Sequence, residues 1–204
     1  MLYRETIRPA TLDTLKKLQR LQEFAALRLV GGTSLALQFG HRVSIDLDLF
    51  GTWDKSIDLN ALLSSFGTVA EKHHTENIRV FDIDGLKVDF VYYTFNWLVS
   101  AIEEDGIRLA AAQDIAPMKL EAAVKRGAKK DFIDIAELLE RHTLADMLRW
   151  HAEKYPSGSE YLVLRSLTYF DDAEDEPSPQ MLRKLTWSDA KKRIIEAVGK
   201  HSKR

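Results

Sequence analysis

Two aspartates, Asp46 and Asp48, stand two residues apart in the run Ile45-Asp46-Leu47-Asp48-Leu49, and Gly31-Gly32 begins 15 residues before the first of them. Successive side chains of a β-strand point to opposite faces. The spacing therefore predicts both carboxylates on one face, with Ile45, Leu47 and Leu49 directed into a core. Adjacent carboxylates repel each other unless a positive charge lies between them, and a divalent cation with oxygen ligands answers that need. Gly31-Gly32 followed by Thr33 and Ser34 reads as a turn into a helix start, where amides and hydroxyls suit phosphate oxygens. Together these residues suggest a site for a metal-bound nucleoside triphosphate. The plainer alternatives are a solvated Asp-x-Asp on a surface strand and an ordinary tight turn.

A third carboxylate, Asp89, lies in the strand-like run Leu86 to Tyr93. Leu86, Val88 and Phe90 share one face there, leaving Lys87, Asp89 and Val91 on the other. By itself Asp89 is equally a surface residue paired with Lys87. Beside Asp46 and Asp48 it completes a set able to hold two Mg²⁺ (or Mn²⁺) ions, which activate an attacking oxygen and steady a triphosphate with its pyrophosphate leaving group. The chemistry implied is nucleotidyl transfer. Further along, Lys119, Lys125, Arg126, Lys129 and Lys130 form a basic run whose default reading is a solvated helix face. Asp131 and Asp134, at i and i+3, fall near one helix face, and helix-start capping competes as an explanation of Asp131. The histidines show no metal-binding spacing, and neither a Walker loop nor a serine nucleophile elbow is present.

The elements that must position these groups follow from periodicity and punctuation. Leu12, Leu15, Leu18, Leu21 and Ala25 have helical spacing over Thr11 to Ala26. Leu27 to Val30 reads as a short strand, Thr33 to Phe39 as a short helix, and Asp58 as the cap of a helix running to Gly67. Asp84-Gly85 between two apolar runs is a strong hairpin signal. From Asn96 onward the pattern reads as helical, with Asp114 as a cap, Pro117 in a first turn and Gly127 as a stop. Thr143 with Asp146 resembles a capping box, and Asp171 to Pro179 reads as an acidic loop. The expected fold class is α+β, with an amino-terminal α/β core over residues 1–95 and a helical region over 96–204.

Composition narrows the class. The chain has 204 residues, so one domain or two small ones is expected, and 45% hydrophobic residues suffice for a core. With no cysteine, disulfides and thiolate metal sites are excluded, which fits a cytoplasmic protein. No membrane-length apolar run or signal-peptide pattern occurs. A net charge of −2 leaves no global basic field for nucleic acid, so any RNA contact requires a local patch.

The segments LVGGTSLAL, HRVSIDLDLF, LKVDF and QDIAPMKLEAAVKRGAKKDFIDIAELLE resemble, in order and spacing, the AbiEii/AbiGii toxin family of nucleotidyltransferases, within the DNA polymerase beta-like superfamily. The resemblance spans about Leu27 to Glu140, and its last block is the most family-specific. It implies a small mixed β-sheet nucleotidyltransferase core with flanking helices, followed by a helical region that closes over the nucleotide. It places Gly31, Gly32, Thr33 and Ser34 on the phosphate-binding motif and Asp46 and Asp48 on the metal pair, with Asp89 as the superfamily's third carboxylate. Lys119 matches a lysine acting on the triphosphate, and Asp131 the aspartate of a Lys-Asp motif. Arg126 and Lys130 flank these as nucleotide- or acceptor-binding residues, while Arg42 and Ser44 brace the aspartate strand.

The resemblance also implies a Mg²⁺-dependent toxin of a type IV toxin–antitoxin or phage-defence system, paired with a cognate antitoxin, with an NTP as donor and tRNA as one candidate acceptor. The competing readings are a non-catalytic module that binds nucleotide or antitoxin on the same fold, and a transferase acting on a protein or small molecule.

Overall fold

The computed structural model describes residues 1–203 and divides them into two compact units: Met1–Thr94 with Ala101–Ala110, and Phe95–Ser100 with the chain from Ala111 onward. Among the described residues the first unit holds one mixed sheet of seven strands. In chain order these are β1 (Arg28–Leu29), β2 (Leu47–Gly51), β3 (Val69–His74), β4 (Ile78–Ile83), β5 (Leu86–Tyr92), β6 (Ile102–Glu104) and β7 (Ile107–Leu109). The spatial order is β3-β4-β5-β2-β1-β7-β6. β2 runs parallel to β5 and β1 parallel to β7, and the other neighbours are antiparallel.

The centre of the sheet is apolar on one side. Leu29, Leu47, Leu49, Val88 and Phe90 are fully buried, and Phe24 packs its ring 4.9 Å from that of Phe90. Helices α1 (Pro9–Arg20), α2 (Gly31–Phe39) and α3 (Leu59–Leu63) belong to this unit. α1 opens with proline at its first position, where the missing N–H costs no hydrogen bond, and buries Leu15 and Leu18. It stops at Arg20, short of the expected Ala26. Leu21 turns extended there, and a 3₁₀ turn at Gln22–Phe24 delivers Phe24 to the core. Asp58 caps α3 as expected, accepting from the amides of Asn60 and Ala61.

Asp84 and Gly85 both have positive φ, the condition of a type I′ hairpin turn between β4 and β5. A second Asp-Gly, Asp105-Gly106, has the same signature and joins β6 to β7. That hairpin corrects the expectation that the chain is helical after Asn96. β7 binds β1 in parallel, Leu29 opposite Leu109, and so belongs with the first unit. β3 is likewise a strand where only a helix and a connection were expected. The polar run Glu71 to His74, exposed from Lys72 onward, hides the strand from a periodicity argument, and backbone pairing to β4 forms it.

The second unit is helical: α4 (Ala112–Lys125), α5 (Lys129–Leu138), α6 (Leu144–Lys154), α7 (Glu160–Ser166), α8 (Asp171–Glu174) and α9 (Trp187–His201). Thr143 with Asp146 and Thr186 with Asp189 form reciprocal capping boxes at the starts of α6 and α9. α8 replaces part of the expected acidic loop, because Ala173 is buried and Phe170 packs edge-on at 5.0 Å against Phe132. Pro117 sits inside α4, past its first turn, and removes one backbone hydrogen bond. Asp114 is not the cap of α4; Ala111 holds that position. The fully buried Asp114 carboxylate instead accepts from the amides of Leu98 and Val99 and pairs with Lys154 at 2.7 Å, tying the 95–100 segment to two helices.

Candidate active site

The carboxylates are arranged by two parallel strands. β2 alternates in burial, with Leu47, Leu49 and Gly51 inside and Asp48 and Phe50 half-buried on the other face. β5 lies beside it in a register that sets Asp48 directly against Asp89. Asp46 precedes the first strand residue, Leu47, by one position and keeps the parity of Asp48. Ile45 does not enter the core: at 58% exposure it corrects the expectation that all three aliphatics turn inward, because the strand has not yet begun there.

Lys87, two residues before Asp89, places its ammonium 2.6 Å from Asp89 Oδ2. Partial burial works against its charge. The hydrogen bond and charge of Asp89, with the more distant charges of Asp48 and Asp46, outweigh this and hold its pKa above the usual lysine value. Asp89 Oδ1 is buried and accepts no hydrogen bond. Among the described residues, no three His, Cys, Asp or Glu side chains are gathered into a ready-made metal site. Neighbouring carboxylates have no reason to converge without a cation between them.

In type the residues nonetheless fit a hard divalent cation. They are carboxylates on facing strands, one buried oxygen is unsatisfied, and a cationic side chain already rests on its sister oxygen.

The glycine turn abuts these carboxylates. α2 begins at Gly31, two residues before the expected start, and Gly31 has a φ of +67°. A Cβ at Gly31 would overlap Asp48 Oδ2, so only glycine allows this approach. The amide of Val30 donates to the Asp48 carbonyl at 2.9 Å, fixing the turn to β2. No side chain caps α2, and its first intrahelical bond is donated by Ser34. The amides of Gly31, Gly32 and Thr33 thus form a helix start beside Asp48. The hydroxyls of Thr33 and Ser34 turn inward. Thr33 bonds Ser44 Oγ at 2.8 Å and the Asp46 carbonyl, and Ser34 donates to Ala110 O at 3.2 Å. Both residues are buried, so they brace the turn and the carboxylate strand, and the backbone amides are the groups left for an anion. Ser44 and Arg42 are buried in the lead-in to the strand, with Arg42 Nη1 donating to Val43 O.

The predicted basic residues lie in the helical unit. Lys119 on α4 is nearly inaccessible and its ammonium bridges two fully buried carboxylates, Asp131 at 2.9 Å and Asp134 at 2.7 Å. Arg126 closes the group from the more exposed side, donating to both oxygens of Asp131 at 2.7 and 3.0 Å. Burial acts to raise the Asp131 pKa. The charges and hydrogen bonds of Lys119 and Arg126 prevail and hold it below the ordinary aspartate value. Lys130, on the same helix start, is exposed.

Asp134 is the member of this group that sequence reasoning undervalued, and its i+3 spacing from Asp131 was the available signal. Lys87 was likewise visible only as a neighbour of Asp89. A cavity of about 440 Å³ in the helical unit, lined in part by Arg141, Arg193 and Lys200, contains none of the predicted residues. Glu140 in the same lining pairs with Arg193 at 2.5 Å, and Asp146 and Glu196 also line the cavity.

Comparisons with known proteins bear on the fold and the family. The model of the nucleotidyl transferase AbiEii toxin family, type IV toxin–antitoxin system, matches residues 13–202. An uncharacterized protein of Aquifex aeolicus (strain VF5) is 32% identical over 155 residues, 72% of this chain and 75% of its own. Among solved structures, MenT4, the nucleotidyltransferase toxin Rv2826c of Mycobacterium tuberculosis H37Rv, superposes with a TM-score of 0.62 at 15% identity, over 92% of this chain and 80% of its own. JHP933 of Helicobacter pylori gives a TM-score of 0.57 at 17% identity, over 95% and 90%. At such identities the structural likeness speaks to the fold. No helix among the described residues is long and apolar enough to cross a membrane. With nearly its whole length matched by the family model, the chain belongs to the AbiEii nucleotidyltransferase toxin family of type IV toxin–antitoxin systems, a membership that implies an NTP substrate and an antitoxin partner.

Proposed function

We propose that this nucleotidyltransferase moves a nucleoside monophosphate from an NTP onto a hydroxyl of tRNA, with Asp46, Asp48 and Asp89 holding Mg²⁺ or Mn²⁺. The observation that carries the reading is the register of Asp48 against Asp89 beside the Gly31 turn. In the reaction the acceptor oxygen forms a bond to the α-phosphorus, the bond to the bridging oxygen breaks, and pyrophosphate leaves with the electron pair. The divalent ion, when bound, supplies positive charge for the phosphates and the attacking oxygen.

The chain's own groups do the rest. Backbone amides at the start of α2 donate to phosphate oxygens. Asp89, which completes the carboxylate set, accepts the proton of the acceptor hydroxyl. For Lys119, Arg126, Lys130 and Asp131 we keep the roles implied by the family resemblance. Lys119 and its flanking cations bind nucleotide, and Asp131 fixes the Lys119 ammonium. The setting we propose is the cytoplasm, with a cognate antitoxin restraining the enzyme and phage defence as its use.

The test is incubation with each α-labelled NTP, Mg²⁺ and total tRNA, followed by gel analysis and a pyrophosphate assay. Labelled tRNA from wild type and none from Asp48→Asn, with the fold of the variant intact by circular dichroism, is the expected result. Pyrophosphate release with label on protein or on a small molecule would replace the acceptor. Nucleotide binding without pyrophosphate release would make the chain a binding module.

A further inference from the structure

We propose that Lys87 is an exchangeable counter-cation of the carboxylate cluster, resting on Asp89 in the metal-free protein and expelled when a divalent ion takes that place. This rests on the reading of Asp46, Asp48 and Asp89 as metal ligands. Lys87 and Asp89 are two residues apart on β5 and so share a face of the strand. Their ion pair measures 2.6 Å and uses one oxygen of the carboxylate, while the other is buried and accepts nothing. The site is thus half-satisfied by a cation that the protein itself provides.

Exposure makes the exchange feasible. The Lys87 side chain is 50% exposed and that of Asp89 only 18%, so the ammonium can swing to solvent on its flexible stem while the carboxylate stays. Lys119 shows the opposite design, with its ammonium buried between two carboxylates. A divalent ion on Asp89 Oδ2 repels an ammonium held on the same oxygen, which disfavours joint occupancy. The bare ion therefore competes with Lys87 for the site. A metal–triphosphate complex brings its own negative charge and tolerates the released ammonium nearby, so occupancy is biased toward metal that arrives with nucleotide.

The experiment is a calorimetric titration of the full chain with Mn²⁺ in the absence of nucleotide, for wild type, Lys87→Ala and Asp48→Asn. It is accompanied by NMR of the lysine side-chain ¹⁵N signals during Mg²⁺ addition. Loss of a partly exposed competing charge should tighten Mn²⁺ binding by Lys87→Ala about two- to fivefold. The Lys87 signal should shift as Mg²⁺ binds the wild type, and Asp48→Asn should bind poorly. If Mn²⁺ binding is lost in Asp48→Asn but equal or weaker in Lys87→Ala, the exchange is overturned and the metal site stands. A Lys87 signal that stays unchanged at saturating Mg²⁺ likewise overturns the exchange. If no variant binds Mn²⁺, Lys87→Ala included, the metal reading itself falls and the exchange falls with it.

Discussion

The two charged clusters handle their carboxylates in opposite ways. On the β2–β5 strands, Asp48 and Asp89 face each other half-buried, with one oxygen of Asp89 unsatisfied and one lysine on the other. In the helical unit, Asp131 and Asp134 are fully buried and held by Lys119, with Arg126 added on Asp131. The second cluster is closed in the sense that each buried acid is held by a base. A closed buried cluster holds a shape, since removing one member strands the others without water. An open cluster at a glycine turn is poised for a ligand, since its unsatisfied groups gain most when something arrives. The contrast separates a cluster whose cations are held in place by buried acids from one in which a buried carboxylate oxygen is left unmatched.

The largest expected effect breaks the open cluster. Asp48→Asn keeps the size of the side chain and removes its charge, so nucleotidyl transfer should fall by about a thousandfold or more, roughly 4 kcal/mol of barrier. Its melting temperature should stay close to wild type, and an unfolded variant would void the contrast. Asp134→Ala should do the reverse. Leaving Lys119 short of a buried partner should cost about 3–5 kcal/mol of stability in chemical denaturation. A loss below about 1 kcal/mol, the range of exposed pairs, would show that the cluster is not closed.

Gly31→Ala should strain both the left-handed backbone and the Asp48 carboxylate, costing about 1–3 kcal/mol and lowering transfer through displacement of Asp48. Transfer rates and melting curves of the same preparation would check both halves.

Acid should also distinguish the clusters. The folded-state pKa of Asp131 is depressed, so its contribution to stability is complete above the ordinary aspartate value of 3.8 and is lost as pH falls through the lower folded value. Denaturation midpoints should therefore drop on acidification below that range, and Asp131→Asn should flatten the drop. The smallest effect belongs to Lys87→Ala. As an exposed ion pair on a strand it should contribute less than about 1 kcal/mol to stability, measurable by the same denaturation series.

Much of the open cluster was legible before the fold. Asp46, Asp48 and Asp89 are marked by a period of two among aliphatics, and Asp84-Gly85 announces the hairpin that carries Asp89. These are local signals, set by alternation and by turn dihedrals. The second Asp-Gly, at Asp105-Gly106, carried the same signal but was masked by short flanking strands of three residues each. β7 exists because Leu109 finds Leu29, and such a pairing has no trace in a window of neighbouring residues. The inward turn of Thr33 and Ser34 was equally invisible. A hydroxyl at a helix start suits a phosphate or a carbonyl equally well, and the choice falls to Ser44, Asp46 and Ala110 from elsewhere in the chain.

What the sequence by itself determined is the kit of parts: the glycine turn, the paired aspartates, the hairpin, the capping boxes and the family to which their order belongs. Tertiary structure decided which charges were left open. Register set Asp48 against Asp89, and the absence of a side chain at Gly31 let the helix start approach them. Helix packing brought Lys119 to Asp131 across 12 residues and buried both. The physical reason is that alternation and turn chemistry are properties of adjacent residues. Whether a charge is satisfied depends on what is folded next to it, and the same aspartate can brace a protein or wait for a metal.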